Sequence, residues 1–166
     1  QLSKVVPLKA DSIGVPKNTN LINMLQLQSL RQSGVGNIKL SDTAAVNKII
    51  NSPIAVKLRP ANLKFTKLMW AYKPETESPD NLVLFAIRGN INGKAPVDGA
   101  VDKANINYDN LGRIVVDMQM DTEGARSWAT LTEKNVGKPV AVTLDNIVYT
   151  APNVNQKITG GRSQIS

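Results

Sequence analysis

The 166-residue chain contains no histidine and no cysteine. Zinc sites built on those ligands, the Ser-His-Asp triad and the Cys-His pair are therefore closed to it. Lack of cysteine also excludes a disulfide scaffold and is compatible with any redox compartment. Aromatic residues make up only 4% of the sequence against 42% apolar residues, so a core has to be built from Val, Ile, Leu, Met and Ala. Long apolar runs are missing as well: the longest, residues 82–87, falls far short of the roughly twenty residues of a membrane helix. Gln1 is no initiator and a lysine-dotted polar stretch follows it, so no signal peptide is expected. The expected reading is a segment from within a longer protein, with a membrane anchor free to lie on either side.

What is present in excess is positive charge, +7 in all, from 14 lysines and 6 arginines scattered along the chain. Nucleic-acid binders concentrate such charge on one stripe and add stacking aromatics. Neither feature is visible, so nucleic acid is not an expected partner. The densest group, Lys57, Arg59, Lys64 and Lys67, alternates with apolar residues and predicts a solvated strand face. Contact of the basic surface with an anionic membrane is left open as an expectation.

Along the chain, residues 1–18 are broken by Pro7, Gly14 and Pro16 and predict loop with a short strand at 2–6. Thr19 or Asn20 predicts the cap of a short helix carrying Leu21, Ile22, Leu25 and Leu30, which residues 32–37 interrupt. Ser41-Asp42 predicts a helix start, with Ala45, Val46, Ile49 and Ile50 on one face, and Asn51-Ser52-Pro53 predicts its end. Residues 64–72 predict a strand that puts Trp70 and Tyr72 on one face. The polar stretch 74–80 predicts a seam between two lobes, residues 1–74 with short helices and a strand, and residues 81–166.

Within the second lobe, residues 82–87 and 104–108 predict strands flanking a loop at 90–99. Residues 113–120 alternate, with Ile114, Val116, Met118 and Met120 on one face, which predicts a half-buried strand. Asp121 or Thr122 predicts a helix cap, Ala125, Trp128, Ala129 and Thr132 follow at helical spacing, and Gly137 predicts the left-handed end. Residues 140–144 and 147–151 predict a hairpin whose corner, Asp145-Asn146, suits a type I′ turn. A last strand is expected over 158–165, interrupted at Gly160-Gly161. Hairpins without βαβ rhythm predict an α+β fold, an antiparallel or mixed sheet with helices packed on one side, in two lobes.

Signs of catalysis are few. The loop from Gly34 to Lys39 lacks the third glycine of a dinucleotide fingerprint and the Gly-Lys-Ser/Thr of a phosphate loop, and predicts a plain turn. Asp117, Asp121 and Glu123 lie close in sequence, but capping and the helix dipole explain the last two without acid–base chemistry. No Ser-x-x-Lys spacing occurs, so a Ser-Lys nucleophile has no support. The expectation is no enzyme, no cofactor and no metal. Trp70, Tyr72, Met118 and Met120 are the candidates for an apolar substrate groove.

One stretch is far more specific. The run Asp121-Thr-Glu-Gly-Ala-Arg-Ser-Trp-Ala-Thr-Leu-Thr-Glu-Lys-Asn-Val-Gly137, continuing through Asp145, Ala151-Pro152 and Ile158-Thr-Gly-Gly161, resembles the SecD/SecDF family of protein-export membrane proteins. Its anchors are Gly124, Ala125, Thr132, Asn135, Gly137, Asp145, Ala151, Pro152, Ile158, Gly160 and Gly161. Asn146 stands where the family usually has a glycine, and Thr150 where it has serine. The match is strong over 98–166, looser over 41–72 and faint in the first forty residues. The resemblance implies the head subdomain of the first extracytoplasmic (periplasmic) domain of an inner-membrane protein. It further implies a substrate-holding role towards unfolded preprotein, driven by the proton-motive force, with the Sec translocon and the rest of the SecD/SecF membrane part as partners. The alternative is a structural coupling domain that contacts translocon partners without binding substrate. Most of the anchors are expected to be scaffold.

Overall fold

A computed structural model describes residues 21–25, 34–90 and 92–165. The strand expected at 2–6, the cap at Thr19 or Asn20, and Leu30 lie outside these residues. The chain forms two compact units that divide between Arg88 and Gly89. Among the described residues no helix is long and apolar enough to cross a membrane.

In the first unit the elements are α1 (Leu21–Leu25), β1 (Gly36–Lys39), α2 (Thr43–Ile50), α3 (Pro53–Lys57), β2 (Thr66–Ala71) and β3 (Asn81–Arg88). β3 pairs antiparallel with β1 on one side and with β2 on the other. The apolar run predicted at 82–87 is thus the central strand of the three, flanked on both sides and buried at Val83, Leu84 and Phe85. One core cluster gathers Leu21, Met24 and Leu25 of α1, Ile38, Val46, Ile49, Ile50 and Leu84, with Leu68 and Trp70 half-buried against it. Burying each aliphatic side chain contributes about 1.5–3 kcal/mol before ordering costs, so this cluster is what fixes the short helices on the strands.

Several expectations need correction here. The turn expected between Gly34 and Lys39 is instead β1, whose Ile38 is fully buried. A strand this short between polar residues carries no periodic signal. Gly36 is needed there for space, since a Cβ would stand 2.6 Å from the Leu25 Cδ2. A 3-10 turn (Leu40–Asp42) precedes α2, and neither Ser41 nor Asp42 caps that helix through its side chain; the Ser41 hydroxyl donates to Asp42 instead. Pro53 does end α2, but it also opens α3 at a position where no N–H is needed, with the Ser52 hydroxyl accepting from Ala55 N–H at 3.2 Å. Lys57, Arg59, Lys64 and Lys67 do not share a strand face: they are spread over α3, the following turn and β2. Residues 74–80, expected to separate two lobes, form the connection of the β2–β3 hairpin, closed by a Glu75–Ser78 bridge. That connection lies within the first unit.

The second unit contains β4 (Val101–Tyr108), β5 (Ile114–Met120), α4 (Thr122–Lys134), β6 (Val142–Leu144), β7 (Ile147–Thr150) and β8 (Arg162–Ile165). β4, β5 and β8 form an antiparallel sheet in that order. β6 and β7 form a hairpin across Asp145-Asn146, whose φ values of 51° and 62° are those of the expected type I′ corner. The final strand is shorter than the expected 158–165, because Gly160 and Gly161 both take positive φ and only Arg162 onward can pair. The chain is α+β.

Candidate functional site

Strand β4 alternates cleanly: Lys103, Asn105 and Asn107 point one way, Ala104, Ile106 and Tyr108 the other. Register carries this division across the sheet, since residues directly opposite each other share a face. Ile106, Val116 and Ile165 form one apolar rung, Ala104, Met118 and Ser163 a second, and Tyr108 with Ile114 a third. The reverse face carries polar ties. Asn107 Nδ2 and Gln164 Nε2 donate to the two Asp117 carboxylate oxygens at 2.7 and 2.8 Å. Those hydrogen bonds, Asn107 foremost and Gln164 next, hold the Asp117 carboxyl below its ordinary pKa, against a smaller opposing effect of burial. Arg162 Nε donates to Gln119 Oε1 at 2.8 Å, again between register partners.

The apolar rungs are left open to solvent at one end of the sheet. Ile106 is 76% exposed, Tyr108 66% and Ile114 65%, whereas Met118 is half-buried and Met120 buried. The face expected to be half-buried is therefore covered only towards Met120, where α4 begins. Alternation revealed two faces, but it does not say how far along a strand the covering helix reaches.

Beside the covered end runs an open groove of about 460 Å³, lined by Met120, Asp121, Ala125, Arg126, Ala129 and Gly160 among others. Asp121 is committed to capping α4: its carboxylate accepts from Gly124 N–H at 2.6 Å. Of the four candidates for a substrate groove, Met120 lines this one and Met118 lies on the apolar sheet face. Trp70 and Tyr72 belong to the first unit. Trp70 packs against the core there, its Nε1 donating to Asn47 Oδ1 at 2.9 Å, and Tyr72 is exposed just past β2.

Anchors of the sequence motif make packing and hydrogen-bond contacts within the second unit. Gly124 leaves room for Ala100, which an added Cβ would strike. Thr132 is fully buried; its hydroxyl donates to the Trp128 carbonyl and accepts from Ile158 N–H. Asn135 is the C-cap of α4 and its Nδ2 donates to the Leu131 carbonyl, and Gly137, at φ 76°, turns the chain so that its N–H reaches the Val154 carbonyl. The Pro152 carbonyl accepts from Val140 N–H next to Ala151. Gly161 packs on Ala125 while its carbonyl accepts from Met120 N–H at 2.8 Å. Among the described residues no group of three or more Asp and Glu side chains is placed to hold a metal ion.

Residues 83–166 match the family described as SecDF, P1 head subdomain, which is just over half of the chain. The protein translocase subunit SecD of Rhodothermus marinus is 37% identical over 126 residues, covering 75% of this chain and 20% of that protein. The protein translocase subunit SecDF of Thermus thermophilus is 43% identical over 58 residues, 35% of this chain and 8% of its own length. A crystal structure of SecDF from Thermus, described as a translocon-associated membrane protein, shares 39% identity over 40% of this chain and 9% of the other, with a TM-score of 0.37. The chain thus spans about a fifth of the length of the Rhodothermus relative. The chain belongs to the SecD/SecDF family, and residues 83–166 correspond to its P1 head subdomain.

Proposed function

We infer that this chain serves as the extracytoplasmic head of a protein-translocation accessory factor in the inner membrane, and that it holds an emerging preprotein without catalysing a reaction on it. The observation that carries this reading is the run of exposed apolar side chains on β4 and β5, centred on Ile106 and Ile114. An unfolded chain is recognised without regard to its sequence by two means: unpaired backbone along a strand edge and apolar surface for alternate side chains. β4 lies at the edge of its sheet and supplies both. Met118 extends the surface with a side chain that adapts to different partners, and Met120 lines the adjoining groove. Tyr72 is the contact proposed for the first unit, while Trp70 acts through the core. Movement of this head under the proton-motive force, with the translocon and the remaining SecD/SecF membrane part as partners, completes the proposal. No residue of this chain is assigned to carrying protons.

Site-specific photo-crosslinking from positions 106 and 114 of the full-length protein during export tests the assignment. Adducts with preprotein at both positions, and none from Lys138, are expected. Adducts only with translocon subunits would overturn substrate holding in favour of a lever that couples the membrane part to its partners.

A further inference from the structure

Between positions 43 and 74 the sequence has six cations, Lys48, Lys57, Arg59, Lys64, Lys67 and Lys73, and no Asp or Glu. This stretch of the first unit therefore carries six positive charges and no carboxylate of its own. Interleaved with these cations are apolar side chains that the core does not use. Ala55 is the residue of α3 that turns inward, leaving Ile54, Val56 and the C-cap residue Leu58 exposed, and Phe65 is exposed in the turn just before β2. The corner is held in shape from within. Ser52 caps α3, and Arg59 Nη1 donates to the Thr66 carbonyl at 3.1 Å, which ties the turn to β2. The Lys64 ammonium lies 5.6 Å from the centre of the Phe65 ring.

We propose that this corner, with Ile54, Val56 and Leu58 among Lys57, Lys64 and Lys67, docks on an anionic lipid surface. Cations near a bilayer are drawn to anionic headgroups, and aliphatic side chains on the same protrusion enter the boundary between headgroups and acyl chains. Lysine stems suit this arrangement because they cover apolar surface while the ammonium stays in water. The residue choice also argues against other partners. Protein interfaces enrich Arg, Tyr and Trp and deplete Lys, whereas three of these cations are lysines and the arginine is occupied with Thr66. Single-stranded nucleic acid asks for a stacking platform, and Phe65 is the lone exposed aromatic of the corner. The inference draws on the membrane setting proposed above only for the nearness of lipid; the test below does not require substrate holding.

Flotation of the chain with vesicles of phosphatidylethanolamine and phosphatidylglycerol, against phosphatidylcholine alone, provides the readout. Binding to the anionic vesicles and not to the neutral ones is expected, and it weakens as salt is raised. The variant K57E/K64E/K67E should lose at least about a hundredfold in partitioning, at roughly fivefold per cation removed and more for the negative charge each Glu adds. The matched variant K94E/K103E/K138E, which changes net charge equally in the second unit, should lose much less. All six side chains are exposed, and circular dichroism confirms that each variant is folded. I54S/V56S should weaken binding at least fivefold with unchanged salt dependence. Equal loss in the two triple variants would overturn the proposal in favour of net charge alone. An unchanged I54S/V56S would remove the apolar part of the contact and overturn it as stated. Binding to polyglutamate at the same ionic strength, without vesicle binding, would overturn it in favour of an acidic protein partner.

Discussion

The Thr132 hydroxyl accepts a hydrogen bond from Ile158 N–H at 3.0 Å while donating to the Trp128 carbonyl at 2.8 Å. One fully buried side chain thereby ties the last turns of α4 to a segment 26 residues further on. Valine has nearly the same shape but no hydroxyl, so Thr132→Val strands the Ile158 donor. A loss of about 1–3 kcal/mol in unfolding free energy is expected. Thr132→Ser keeps the hydroxyl and gives up one methyl, for about 1 kcal/mol or less. Urea unfolding of both variants checks the order; serine costing more than valine would mean the hydroxyl is not what matters.

Gly160 and Gly161 separate two reasons for a glycine. Both have positive φ, 85° and 69°, a region that costs other residues about 1–2 kcal/mol. Around Gly160 nothing stands within 4 Å of an added Cβ, but at Gly161 that atom would lie 2.7 Å from the Ala125 Cβ. Gly161→Ala should therefore destabilise by roughly 1–3 kcal/mol more than Gly160→Ala. Thermal unfolding of the two variants measures the difference.

Much of the second unit was legible because its signals are local. The Asp121 cap, the Gly137 stop and the Asp145-Asn146 corner each follow from a residue's own backbone preference, and each is in place. The first unit was less so. β1 has a single buried aliphatic residue, Ile38, and is a strand only because β3 offers it a partner. The polar stretch 74–80 looked like a boundary because composition marks loops without saying what they join; here it joins two paired strands. The site was legible in part. Ile106 and Ile114 were visible as strand residues, but their exposure depends on how far α4 extends over the sheet, a property of packing. Trp70 looked accessible beside a polar stretch and proved to be anchored by Asn47, 23 positions earlier.

Asp117 gives the second unit a pH signature. Its folded-state pKa lies below the ordinary value of 3.8, through hydrogen bonds from Asn107 and then Gln164. A depressed carboxylate contributes stability that is fully present above its unfolded pKa and is lost as pH falls through the folded value. Carbon-detected NMR titration should place the Asp117 midpoint below 3.8. In N107A/Q164A the midpoint should return towards 3.8, and an unmoved midpoint would refute the hydrogen-bond cause.

In the proposed function the apolar rungs of β4 and β5 hold unfolded chain. The most direct test of this is titration of the 166-residue chain with a fluorescently labelled, unfolded preprotein segment, read by anisotropy. Saturable binding in the micromolar range, about −8 kcal/mol at 1 μM, is expected for the native chain, and I106D/I114D should weaken it at least tenfold while leaving the fold intact. Unchanged affinity in that folded double variant, or no saturable binding by the native chain where full-length protein binds the same segment, would show that these rungs do not hold substrate.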